Sequence, residues 1–196
     1  MSRWPPLERD PAAPAASRPT LFLDRDGVII VDRHYLDDPA DVQLEAGVPA
    51  ALRRARASGY RLVGLSNQSG LGRGLFDLAT FAAVMARLDA LLRDEGCALD
   101  AFFYCPHAPV DACACRKPAP GLLHEAAREM AWEPERSAMV GDKLADVDLA
   151  LDAGLQPILV RTGHGVGAEA ALGGRVGVPV CDDLAAAVAW LLGGTA

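Results

Sequence analysis

Apolar and polar positions along the chain alternate between two periods. The run 20–24 (TLFLD) is short, apolar and ends in an acid, the form of a buried strand. Residues 47–59 (GVPAALRRARASG) carry apolar side chains at helical spacing and stop on glycine. A second strand is predicted over 60–66 (YRLVGLS), then a long amphipathic helix over 77–96, with Asp77 as N-cap and Gly96 as terminator. The pattern goes on through strand 100–105, helix 121–132, strand 137–142, helix 144–154, strand 155–161 and a last short strand and helix within 178–192. Such regular strand–helix alternation predicts an α/β fold, a doubly wound parallel sheet covered on both faces. Ligands of such sheets sit beyond the C-terminal ends of the strands, near the point where the winding reverses.

The residues at those strand ends are therefore the candidates for chemistry. Strand 20–24 delivers Asp24-Arg25-Asp26-Gly27, and strand 60–66 delivers Ser66-Asn67-Gln68-Ser69-Gly70. Strand 100–105 leads into a cluster of Cys105, His107, Cys113 and Cys115 followed by Arg116-Lys117, and strand 137–142 into Gly141-Asp142-Lys143. Strand ends reach solvent and are commonly polar, but four such sets at one edge of one sheet are poorly explained by solvation alone. Composition sharpens this. Of 19 basic residues only Lys117 and Lys143 are lysines, and Asn67 is the only asparagine. A lysine is a compact point charge where arginine is a planar fork, so the two are not interchangeable at a tight phosphate site.

Whole-chain properties exclude some classes. With 196 residues, 51% of them hydrophobic, the chain can bury a proper core, expected here as a single domain over 19–196. A net charge of −7 argues against a general nucleic-acid binder. Residues 1–18, rich in Pro and Ala and without an apolar core segment, read as a disordered leader rather than a signal peptide. No stretch is long and apolar enough to span a bilayer. The expectation is a soluble, cytoplasmic protein, and in a reducing compartment clustered cysteines are more often metal ligands or catalytic groups than disulfides.

The strand-end residues suggest phosphoryl transfer. Asp24 can attack phosphorus and form an aspartyl phosphate. Asp26, two residues on, projects to the same side and can serve as proton donor and then base. Two carboxylates repel a phosphate dianion, so Mg²⁺ is expected on Asp24, Asp142 and the carbonyl of Asp26. Ser66 and Lys117 would stabilise the phosphoryl oxygens.

FLDRDGVI, LSNQSG, CRKP and VGDKLAD, in that order, resemble the four motifs of the haloacid dehalogenase superfamily of phosphohydrolases. Over about residues 20–165 the chain is similar to the branch shared by heptose bisphosphate phosphatases and histidinol-phosphatases. That resemblance implies a structural zinc held by Cys105, His107, Cys113 and Cys115, a closed tetrahedral set with no open position for catalysis. It also implies that there is no large cap, since the slots after the first and third strands are too short. Asp32, Arg33, His34 and Tyr35 would contact the sugar, Asn67, Gln68 and Ser69 would cradle the substrate's phosphate, and Arg116 and Lys143 would help to bind substrate. The NQSG motif with Arg73-Gly74 behind it is similar to the heptose enzymes, whereas the five residues between His107 and Cys113 match the histidinol-phosphatases. The heptose bisphosphate is the expected substrate, because its motifs span more residues than one loop length, with histidinol phosphate as the alternative. The chain is expected to act as a monomer on this small molecule, without nucleic-acid or membrane partners.

Overall fold

The structure, a computed structural model, describes residues 2–4 and 17–193. Its strands are β1 (Ser2–Trp4), β2 (Thr20–Leu23), β3 (Arg61–Asn67), β4 (Ala101–Cys105), β5 (Ala138–Gly141), β6 (Gln156–Val160) and β7 (Val180–Cys181). They form one sheet in the order β1-β4-β3-β2-β5-β6-β7. Strands β2 to β7 are parallel to their neighbours, while β1 pairs antiparallel with β4, Ser2 opposite Tyr104. The first residues of the stretch read as a disordered leader thus have a place in the sheet. The open edge of β4 offers unpaired N–H and C=O groups, and β1 takes them up. Residues 5–16 of that stretch lie outside the described residues.

Helices α1 (Val48–Ala57), α3 (Leu78–Asp94) and α7 (Leu184–Leu191) cover one face, and α4 (Gly121–Ala127) and α5 (Leu144–Asp152) the other. The strands supply both faces by simple alternation. Leu21, Leu23, Leu62, Phe102, Tyr104, Ala138 and Val140 join the first core, while Phe22, Val63, Leu65, Phe103 and Met139 join the second. Buried on both sides, these strands read as continuous apolar runs rather than alternating ones. Asp77 caps α3 as expected, its side chain accepting from the Thr80 amide at 2.8 Å. α4 ends at Ala127 instead of running to 132, and the chain beyond turns so that Trp132 packs edge-on against Phe22 with ring centroids 5.2 Å apart. Two short helices, α2 (Ser69–Gly72) and α6 (Gly165–Ala170), carry too few turns for periodicity to reveal.

The winding reverses at β2. From there the chain builds outward through β3 and β4, then crosses over to β5 on the other side. The loops after β2 and β5 are consequently adjacent, and the Asp24 amide donates to the Val140 carbonyl at 3.0 Å. None of the described residues forms a cap over this edge. Among the described residues, the segment between β2 and α1 holds only a 3₁₀ turn (Pro39–Asp41) and is pinned by bridges from Ile30 to Asp26 and Leu44. The segment between β4 and α4 holds only the turn Pro109–Asp111.

Candidate active site

Three carboxylates converge at the reversal point. Asp24 follows β2, Asp142 follows β5, and Asp146 stands one turn later on α5. All three are buried, and one oxygen from each lies within 4.8 Å of the others. Lys117 reaches into them. Its Nζ is 2.6 Å from Asp146 Oδ1, 3.1 Å from Asp24 Oδ1, and donates to the Leu65 carbonyl at 2.6 Å. Lys143 closes the outer side, 2.8 Å from Asp142 Oδ1 and 3.9 Å from Asp24 Oδ2.

Within this trio Asp24 is shifted in the opposite direction to Asp142 and Asp146. Burial would raise Asp24, but Lys117, Lys143 and the Arg25 amide outweigh it and hold the carboxyl below its usual range. Burial and the neighbouring Asp24 raise Asp142, and burial lifts Asp146 to about 6 against the pull of Lys117. Three carboxylates face two ammonium groups, so one negative charge is left for a cation. All-oxygen donors in this number suit a hard divalent ion such as Mg²⁺. Gly27 makes this closeness possible: with φ +78°, it lies so near Asp142 that an added Cβ would stand 2.5 Å from Oδ2.

Asp26 is anchored separately. Arg25, fully buried, grips it by donating from Nε to Oδ1 and from Nη2 to both carboxylate oxygens at 2.8–3.1 Å, and its guanidinium lies 5.9 Å over the Phe81 ring. Gln68 donates to Asp26 Oδ2 at 2.9 Å and to Ser66 Oγ at 2.8 Å. Asn67 clamps the Lys117 peptide from both sides, donating to its carbonyl at 3.1 Å and accepting from its amide at 3.0 Å.

The cysteine cluster is closed and carries no disulfide. Cys105, Cys113 and Cys115 stand with sulfurs 3.2–3.6 Å apart, and His107 Nδ1 is 3.2 Å from Cys115 Sγ and 3.6 Å from Cys105 Sγ. A tetrahedral ion bound at about 2.3 Å to sulfur spaces its ligands on the order of 3.7 Å, so this set fits a zinc-class metal with little movement. Burial and sulfhydryl contacts raise Cys105, whereas amide and thiol donors lower Cys113 despite its burial cost.

Asp24, Asp26, Asp32, His34, Tyr35, Asn67, Gln68, Ser69, Arg116, Lys117 and Lys143 all line one open pocket of about 300 Å³. Three of the expected residues do not reach its wall, and Asp142, fully buried beside Lys143, is the first of them. Ser66 is buried beneath Gln68, and Arg33 turns outward to Gln43 Oε1 at 3.3 Å. Arg25, Asp146 and His164 were missed. Asp146 had a readable signal, an acid at the third position of the helix that opens after Lys143, where its side chain accepts from the Lys143 amide at 3.2 Å. Arg25 had none, because an arginine between two acids reads as a solvated charge.

Comparison with known proteins agrees with this geometry. A HAD-hydrolase-like family model matches residues 114–187, and a polynucleotide kinase 3 phosphatase model matches residues 20–149. The chain is 40% identical over 173 residues to a D-glycero-beta-D-manno-heptose-1,7-bisphosphate 7-phosphatase of Bordetella bronchiseptica, covering 88% of this chain and 97% of the relative. It is 38% identical over 180 residues to one of the same name from Pseudomonas aeruginosa, covering 90% and 99%. A crystal structure of the B. bronchiseptica D,D-heptose 1,7-bisphosphate phosphatase, complexed with magnesium and phosphate, superposes with a TM-score of 0.82 at 40% identity, over 89% of this chain and 98% of that one.

The Arg25–Asp26 pair sets a test. Removing one member of a buried ion pair leaves the other uncompensated, at a cost of about 3–5 kcal/mol. Arg25→Met should lower the urea unfolding free energy by that order, and adding Asp26→Asn should recover part of the loss. If Arg25→Met unfolds within about 1 kcal/mol of the wild type, the pair does not anchor the loop.

Proposed function

The chain belongs to the haloacid-dehalogenase-like hydrolases, with the heptose 1,7-bisphosphate 7-phosphatases, and from that membership we propose how it works. It is a phosphatase that removes the 7-phosphate of D-glycero-D-manno-heptose 1,7-bisphosphate. The relatives' names carry the beta anomer, and we take the same anomer as its substrate. The observation that carries the mechanism is Asp24, depressed in pKa and bonded to Lys117, at the reversal point of an uncapped sheet.

In this reading Asp24 attacks phosphorus as the bond to the sugar oxygen breaks, and the proton on Asp26 goes to that leaving oxygen. Water then attacks the aspartyl phosphate, gives its proton to Asp26 and releases phosphate. Arg25 and Gln68 fix Asp26 through both steps. Lys117 offsets the phosphoryl charge, while Ser66, beneath the pocket wall, accepts from Gln68 and so helps to hold the Gln68 amide on Asp26. Mg²⁺, held by Asp24, Asp142 and the Asp26 carbonyl, would neutralise the phosphoryl oxygens. The sugar faces Asp32, His34, Tyr35, Asn67, Ser69, Arg116 and Lys143.

We place structural zinc on Cys105, His107, Cys113 and Cys115, where it orders the loop that carries Arg116 and Lys117. Three reduced thiols suit the cytoplasm. No helix among the described residues is long and apolar enough to cross a membrane. The polynucleotide phosphatase match covers the same strand-end residues, but a net charge of −7 disfavours a polyanionic substrate.

Four results are expected. Asp24→Asn should fold and lose turnover, and Asp142→Ala should raise the Mg²⁺ requirement far more than Asp152→Ala at the exposed end of α5. Equal effects of the two alanine variants in Mg²⁺ titrations would displace the metal assignment. On one preparation, kcat/KM for the heptose 1,7-bisphosphate should exceed that for histidinol phosphate, and the reverse order would reassign the substrate. Cys113→Ser with Cys115→Ser should keep the α/β core by circular dichroism, lose zinc by mass spectrometry, and lower kcat/KM about a hundredfold through misplacement of Lys117. Full activity in that variant, or wild-type protein without zinc, would rule out the structural role.

A further inference from the structure

A second group of donors stands at the rim of the pocket, outside the phosphoryl machinery. Asp32 and His34, on the loop after β2, meet His164, on the loop after β6. His164 Nε2 lies 3.1 Å from Asp32 Oδ2, and the two imidazole rings are 6.1 Å apart between centroids. One donor atom from each of the three residues lies within 4.8 Å of the others. Beneath them opens a separate cavity of about 250 Å³, walled by the same three side chains together with Val31, Glu45 and Gly163.

We propose that Asp32, His34 and His164 form a binding site for one transition-metal ion of the nickel or zinc class, distinct from both the acidic and the thiol sites. Two imidazoles and one carboxylate are a borderline donor set, which favours such ions over Mg²⁺. The spacing agrees. Bonds of about 2.1 Å put the donors of a tetrahedral ion roughly 3.4 Å apart, and those of an octahedral ion about 3.0 Å, close to the separation of His164 and Asp32. The loops that carry the donors are also held in place before any ion arrives. The His34 amide donates to Asp32 Oδ1 at 2.7 Å, which leaves Oδ2 facing His164, and His34 itself sits at φ 62°. The His164 amide donates to Asp142 Oδ2 at 2.8 Å, and Thr162 donates from the same loop to the Gly27 carbonyl at 2.5 Å. Little ordering remains to be done on binding. The cavity provides room for water in the remaining coordination positions, with Glu45 on its wall. Occupied, the site joins the loop after β2 to the loop after β6 at the mouth of the pocket.

The test is a calorimetric titration of tag-free, zinc-loaded protein with Ni²⁺ in excess Mg²⁺. The wild type should take up one equivalent of Ni²⁺. His164→Ala should weaken that uptake about tenfold or more. His34→Asn should do the same, because asparagine tolerates the left-handed backbone while removing the imidazole. His124→Ala, on the exposed face of α4, and Asp24→Asn, in the acidic group without a bond to the rim loops, should both keep the equivalent. Circular dichroism confirms that each variant is folded, and His164→Gln replaces any alanine variant that is not. The proposal is overturned if the wild type takes up no Ni²⁺, or if neither rim histidine changes the uptake. It is equally overturned if Asp24→Asn alone abolishes it, since the ion then belongs to the acidic site.

Discussion

The buried ammonium of Lys117 is the constraint around which the site is organised. An unpaired charge at that depth would cost several kcal/mol, and Asp24, Asp146 and the Leu65 carbonyl offset it together. Those partners come from the loop after β2, from α5 and from β3, so satisfying one charge fixes three elements relative to each other. The same contact lowers Asp24 and leaves it ionised. Arginine could not replace it, because a planar fork cannot point at three separate acceptors from one centre. The one lysine on the floor and the one on the wall of the pocket are the only two in the chain.

Lys117 is set in place from two directions. On its N-terminal side the converging cysteines and His107 tie the loop to the end of β4, where Cys105 and Cys115 are buried in the second core. At the peptide itself, Asn67 accepts and donates across from the end of β3. A loop of this length has almost no apolar core of its own, so converging thiols and a single amide clamp do what packing does elsewhere.

Asp24 and Asp26 are two residues apart and are kept in different environments. Asp24 faces the lysines and its own chain's neighbouring amide, while Asp26 is held by Arg25 and Gln68. Separate anchors let one carboxylate act on phosphorus and the other handle protons, the division of labour that distinct surroundings give to chemically identical groups. Arg25 spends its charge wholly on this task, packed between Phe81 and Met85 with no exposure to substrate.

The sequence alone determined the order of strands and helices, the parallel sheet, and most of the residues at its working edge. Each of these is a local matter: a run of apolar positions, a cap, an acid or a lysine at a strand end. DRDG, NQSG, the cysteine cluster with its CRK, and GDK were legible for that reason. What the tertiary structure decided concerns groups remote in sequence. Asp146 turns to Lys117, Arg25 goes inward, Ser66 sinks below Gln68, Arg33 leaves for Gln43, and His164 arrives beside Asp32. The antiparallel strand β1 belongs to the same group, since it forms only because β4 presents a free edge. Periodicity reports which way a side chain leaves its own element. Where that side chain ends up depends on which loops the sheet brings together, and on which charges are left without a partner there.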